Sequence, residues 1–243
     1  KLCGGIVFQA YPTELARNKH LAPYEIQRIR VEMTPTEIKE YQRNITAYQI
    51  GLRKLGIRAN YAINFQRLVM ISTKSKVARE ALLARNRAIN IALNSKSKLE
   101  QLRKILASNK SIKTIIFTQH NFLVHEIADN FLIPFITHKT NKEERQDVLA
   151  GFKEGRYRVI VTSKVLDEGV DVPDAELGII VSGTGSGREF IQRLGRLLRP
   201  KLDPDKKAKL IEIISADTHE MGSSAKRKKA LGKISQNDER YNN

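Results

Sequence analysis

The sequence has 243 residues, 41% of them hydrophobic, enough for one large or two small domains with a core of their own. No apolar run is long enough to cross a bilayer and no signal-peptide pattern opens the chain, so the chain is expected to be intracellular, in a cytoplasmic, nucleoid or nuclear location. One cysteine, Cys3, excludes an intrachain disulfide framework and a Cys-based metal cluster, and five scattered histidines lack ligand spacing, so no metal-ligating residues are expected. The formal charge of +17 favours a polyanionic partner, with a merely soluble basic surface as the alternative.

Residues 31–110 hold sixteen Lys and Arg against five Glu and are predicted to be helical throughout. Thr34-Pro35-x-Glu37 reads as a helix start, and Val77, Ala81, Ala84, Ala88 and Ile91 recur at helical spacing. Leu99, Leu102 and Leu106 continue that pattern, while Arg85 to Arg87 sit off the apolar face. Either a solvated face or a phosphate-contacting face accounts for them.

From Ser111 onward, short β-branched runs alternate with helical patterns. "TIIFT", "PFITH", "YRVIVTS", "LGIIVSG" and "KLIEII" predict five buried strands, and the helical stretches between them predict a mainly parallel sheet covered on both faces. In such a fold function lies at the carboxyl ends of the strands. Polar clusters fall there: Thr118-Gln119-His120, His138-Lys139-Thr140, Thr162-Ser163-Lys164 and Ser182-Gly183-Thr184. Any αβ sheet needs polar residues to leave its core, so no single cluster decides the matter.

Between the third and fourth of these strands, "LDEGVDVPD" sets Asp167, Glu168 and Asp171 around Gly169. These carboxylates could act on a ribose hydroxyl, hold Mg²⁺ or do acid–base work, or they could simply form a turn. After "LGIIV", the loop "SGTGSGREF" has glycines at 183, 185 and 187 with no lysine following, so it is not a triphosphate cradle. Ser186 with Glu189 forms a capping box instead. The helix it starts carries Gln192, Arg196 and Arg199 at about 0°, 40° and −20° around its axis, with Ile191, Leu194 and Leu198 at about 200° to 260°. One face packs, and the other presents guanidinium forks suited to bidentate phosphate contact. An ordinary amphipathic surface helix is the competing reading. Beyond "KLIEII", residues 216–243 read as a polar basic tail or a weakly helical extension, with a basic run at Lys226 to Lys229.

Taken in order, "IIFTQ", "ITHKTNKEERQDVLAGFKEGRYRVIVTSKVLDEGVDVP" and "SGREFIQRLGRLLRP" resemble the motif series of the second RecA-like domain of superfamily 2 helicases, most of all the archaeal XPB-type DNA repair helicases. The stretch "HLAPYEIQRIRVEMTPTEIKEY" resembles that family's connection between motor domains, and the basic helical segment resembles its DNA-gripping thumb. The resemblance implies a RecA-like three-layer αβα fold with a helical basic insertion before it. It divides the chain into a linker (1–30), the thumb-like segment (31–110), the RecA-like domain (111–215) and the tail (216–243). It implies that Arg196 and Arg199 are arginine fingers and that Gln192, Gly169 and Asp171 line the ATP site. Thr118, Gln119, Thr140 and Thr162 would hold the backbone of one DNA strand. ATP with Mg²⁺ is implied as cofactor, bound mainly by an N-terminal RecA-like domain of the same protein, with DNA and a nuclease as further partners.

The departures from that pattern are equally informative. No G-x-x-x-x-G-K-[ST] loop occurs, since "GLRKLG", Gly51 to Gly56, continues with Ile57-Arg58, and the acidic Mg²⁺ motif of a first motor domain is also missing. The chain is therefore expected to be the C-terminal half of a longer protein, hydrolysing little or no ATP by itself. The expected activity is ATP-dependent DNA unwinding by the whole protein. A double-strand DNA translocase of the same superfamily, or a non-catalytic nucleic-acid-binding module, is the alternative.

Overall fold

The computed structural model of the chain describes residues 24–57, 62–163, 175–183 and 208–236. Two compact units are present: Lys1–Arg30 with Gln101–Ile214 and Met221–Asn243, and Val31–Glu100 with Ser215–Glu220.

The helical unit contains α1 (Pro35–Lys54), α2 (Ala62–Ser72) and α3 (Lys76–Leu93), and α4 (Lys96–Ser108) begins in it. The start of α1 follows from its sequence: Thr34 and Glu37 form the capping box, with Glu37 Oε2 accepting from the Thr34 N–H at 2.8 Å. Such a cap is worth about 1 kcal/mol. Glu37 also accepts from Lys96 N at 3.0 Å and from Ser95 Oγ at 3.2 Å, so one carboxylate serves the starts of two helices. Burial alone would raise its pKa, but these hydrogen bonds outweigh burial and hold it below its ordinary value.

The face of α3 is a stripe of buried alanines, Ala78, Ala81, Ala84, Ala88 and Ala92, which lets α1 approach closely. A Cβ on Gly51 would stand 2.6 Å from the Cβ of Ala81. Gly56 sits past the end of α1 at φ +64°, where glycine carries no steric penalty. The two glycines of "GLRKLG" thus serve helix packing and helix termination. Leu52, Ile57, Leu68, Ala78 and Ala81 form one small core, and Met33, Tyr41, Ala88 and Ala92 another.

A polar knot closes this unit. Glu220 Oε2 takes the Lys98 ammonium at 2.5 Å and the Ser215 N–H at 3.0 Å, and the Ser215 hydroxyl donates to the Ala92 carbonyl at 2.7 Å. The neighbouring His219 N–H donates to the Tyr41 hydroxyl at 3.0 Å. Burial, then the positive charges of Lys98 and Arg85, lowers the His219 pKa from 6.5 to about 4. A pKa depressed in the folded state means that stability is complete above about 6.5 and is lost as pH falls toward 4. The His219 ring is expected to titrate near 4 by NMR. His219→Asn should flatten the urea-midpoint profile between those two pH values, and a His219 midpoint near 6.5 would overturn this account.

The sheet unit holds β1 (Tyr24–Val31), β2 (Thr114–Phe117), β3 (Phe135–Ile136), β4 (Val159–Thr162), β5 (Leu177–Ile180) and β6 (Ala208–Ser215) in the order β1-β6-β5-β2-β4-β3. All four pairings among β2 to β6 are parallel. Five of the six are the strands expected from the sequence. The sixth, β1, lies in the stretch read as a linker, where exposed Glu25, Gln27 and Arg30 interleave with more buried Ile26, Arg28 and Val31.

Every residue of β2 and β5 is buried, as a parallel sheet covered on both faces requires. Helix α6 (Lys142–Glu154) places Val148 and Phe152 against Ile115, Phe117, Ile136 and Ile160, and α5 (Asn121–Phe131) buries Leu123, Val124, Ile127 and Ala128. Of the two readings of the C-terminal stretch, a polar tail or a weakly helical extension, the structure shows a helix. Residues His219–Gln236 form helix α7, because Ser224 and Arg227 have a buried partner in Glu212 on β6.

Candidate nucleic-acid interface

The parallel sheet brings the polar strand ends together along one edge. Backbone bonds order them: Val181 N to Phe117 O at 3.1 Å, Thr118 N to Thr162 O at 2.9 Å, and Ser163 N to Ile136 O at 3.2 Å. Along the edge lie Ser182-Gly183, Thr118-Gln119, Thr162-Ser163 and Thr137-His138. The chain leaves β2 toward β3 on one side and β5 toward β6 on the other, so the crevice between the ends of β2 and β5 is the topological switch point. The Gln119 N–H donates to Ser182 Oγ across it at 2.8 Å.

Of the four residues expected to hold DNA, three are buried. Thr118 and Thr162 are fully inaccessible, and their hydroxyls donate to the His120 carbonyl at 3.2 Å and the Ser163 carbonyl at 3.0 Å. Thr140 Oγ1 accepts from Thr137 N at 2.9 Å. These side chains shape the turns. A phosphodiester oxygen offers no proton, so it needs donors that point outward. Gln119 is half-buried, and beside it lie Asn121, whose Nδ2 is 2.6 Å from His138 Nδ1, and the exposed Lys139. Asn121 had only its position just past a strand end to mark it.

Two helices begin at this edge, with different electrostatics. Helix α6 is capped by Asn141 Oδ1 and carries Glu143 and Glu144 in its first turn, so its positive end is neutralised. Helix α5 has His120 at the N-cap with no side-chain capping bond and no acidic residue in its first turn.

Residues 83–236 match the ERCC3/RAD25/XPB C-terminal helicase family. The chain belongs to that family. It is 45% identical over 227 residues to the DNA 3'-5' translocase XPB2 of Sulfurisphaera tokodaii, covering 93% of this chain and 51% of that protein. It is 34% identical over 138 residues to the DNA 3'-5' helicase XPB of Kineococcus radiotolerans, covering 56% of this chain and 25% of that protein. The chain thus spans about half the length of the first relative and a quarter of the second. Among solved structures, the C-terminal part of the Fun30 ATPase domain superposes with a TM-score of 0.59 at 13% identity, over 85% of this chain and 90% of that one. At that identity the match speaks for the RecA-like fold alone.

Other residues assigned by their resemblance to the helicase motifs, Arg196, Arg199, Gln192, Gly169 and Asp171, lie outside the described residues, as does the Ser186–Glu189 capping box. Among the described residues, no group of three or more His, Cys, Asp or Glu could hold a metal ion, and no helix is long and apolar enough to cross a membrane.

Proposed function

We propose that this chain is the second motor domain of an ATP-dependent DNA helicase, working with a first RecA-like domain of the same protein that carries the phosphate loop and Mg²⁺ site. Arg196 and Arg199 enter the shared cleft as arginine fingers beside Gln192, and Gly169 and Asp171 approach the nucleotide. Closing and reopening the cleft moves the strand-end edge along DNA. Gln119, Asn121, His138 and Lys139 contact the phosphodiester backbone without reading sequence, while Thr118, Thr140 and Thr162 hold the turns that present them.

The observation that carries this reading is the switch point, where Gln119 and Ser182 meet across the crevice at the start of α5, in a member of an XPB-type family. The test uses the two-domain protein. DNA-stimulated ATP hydrolysis is expected, and its absence would overturn the reading. Lys139→Ala should weaken binding to all sequences alike and reduce the salt slope by about 1.

A double-strand translocase is the second reading, since the 45% identical relative from Sulfurisphaera tokodaii is a DNA 3'-5' translocase by name. A strand-separation assay decides between the two, because a translocase hydrolyses ATP on duplex without releasing a strand.

A further inference from the structure

Within the basic run of α7, Arg227 turns away from solvent. Arg227 is 3% exposed, and its Nε donates to Glu212 Oε1 on β6. Glu212 is fully buried, and its other oxygen accepts from Arg28 Nε on β1 and from Ser224 Oγ, both at 2.9 Å. A carboxylate held by two guanidinium groups and a hydroxyl is fixed in orientation, so it fixes Arg227 in turn. Arginine suits this role because its planar fork can hold a carboxylate with one edge and reach a second acceptor with the other.

The second acceptor is the Gly183 carbonyl, 3.3 Å from Arg227 Nη1. The corner at Gly183 is closely packed: a Cβ there would lie 3.2 Å from Ile180 Cγ2, tighter than an ordinary contact, and 3.4 Å from Arg227 Nη1. The residue before it, Ser182, is 1% exposed and accepts the Gln119 N–H across the switch point. The Ser182-Gly183 corner is therefore held from both sides, by the DNA-facing strand end at Gln119 and by the buried Glu212–Arg227 pair. From this corner the sequence runs on to Gln192, Arg196 and Arg199.

We propose that Arg227 is a positioning residue that fixes the Ser182-Gly183 corner and so couples the Gln119 edge to the arginine-bearing segment. It touches neither nucleotide nor DNA. Its effect reaches both through the corner, and this inference rests on the motor-domain reading above.

The test uses the two-domain protein and three variants. Arg227→Lys keeps a positive charge beside Glu212 but replaces the fork with a single ammonium, which cannot hold both acceptors in the same geometry. DNA-stimulated kcat is expected to fall about ten- to a hundredfold, the cost of a misplaced catalytic group, with KM for ATP and the melting temperature little changed. Ser182→Ala removes the acceptor for Gln119 from the opposite side of the corner. The double variant should show no more than the larger single effect, because both changes release one element. Gly183→Ala, whose Cβ presses on Ile180 Cγ2 and so shifts the corner while keeping the carbonyl, should fall between wild type and Arg227→Lys.

Unchanged kcat in Arg227→Lys, or strictly additive effects in the double variant, would overturn the proposal. So would a loss in Arg227→Lys that merely tracks a lowered melting temperature while Ser182→Ala is silent. Absence of ATPase in the wild-type protein would instead overturn the motor-domain reading, so the two failures are distinguishable.

Discussion

Arg199→Ala in the two-domain protein is expected to lower DNA-stimulated ATP hydrolysis by about 10³-fold or more, the scale of an arginine finger in other phosphoryl-transfer enzymes. The physical reason is that a guanidinium meets the charge that develops on the transferring phosphoryl group, so its removal acts on kcat more than on ATP affinity. Arg199→Lys should restore little, because a point charge on a flexible stem does not reproduce the fork. DNA affinity without nucleotide should remain near that of the parent protein. The decisive contrast is with a pure binding role: unchanged ATPase with weaker DNA binding would reject the finger assignment and leave a non-catalytic nucleic-acid-binding module. Arg196→Ala serves as the internal comparison, since it lies on the same helical face by spacing and should show a loss of the same kind.

The core strands were legible because a parallel sheet buried on both faces demands continuous β-branched runs, and "TIIF", "VIVT" and "LGII" are such runs. Strand β1 was not, because Arg28 stands where an apolar residue would announce a strand; its charge is met by Glu212, which is distant in sequence. Helix α7 was open to reading only as the weakly helical alternative to a tail, and its anchoring was hidden for the same reason. Its composition is that of a solvated tail, and only Glu212 on β6 shows why Ser224 and Arg227 turn inward. Among the site residues, the strand-end positions could be located from spacing, but not the direction each side chain takes. Threonine at a strand end serves equally well as an outward donor or as a turn-forming hydroxyl. Thr118 and Thr162 turn inward because carbonyls of the following turn lie within reach.

Glu220→Ala is expected to produce the largest loss of stability of any single substitution in the helical unit, about 3–5 kcal/mol. Lys98 is fully buried, so removing the carboxylate leaves an ammonium inside the unit without its 2.5 Å counter-ion, and it also strips the Ser215 N–H of its acceptor. Two penalties therefore combine, one for a buried charge that loses its 2.5 Å counter-ion and about 1–3 kcal/mol for an unsatisfied buried donor. Glu220→Gln should cost less, because the amide oxygen can still accept from Ser215 while the charge is lost. The informative variant is the double replacement Lys98→Met/Glu220→Leu. It removes both desolvation penalties at similar volume, so it should recover most of the loss and leave only the Ser215 deficit, whereas Lys98→Met alone strands the carboxylate. Urea unfolding of all four proteins, followed by far-UV circular dichroism, measures these differences. If the double variant is as unstable as Glu220→Ala, the loss comes from packing or from Ser215, and the buried pair is not its source.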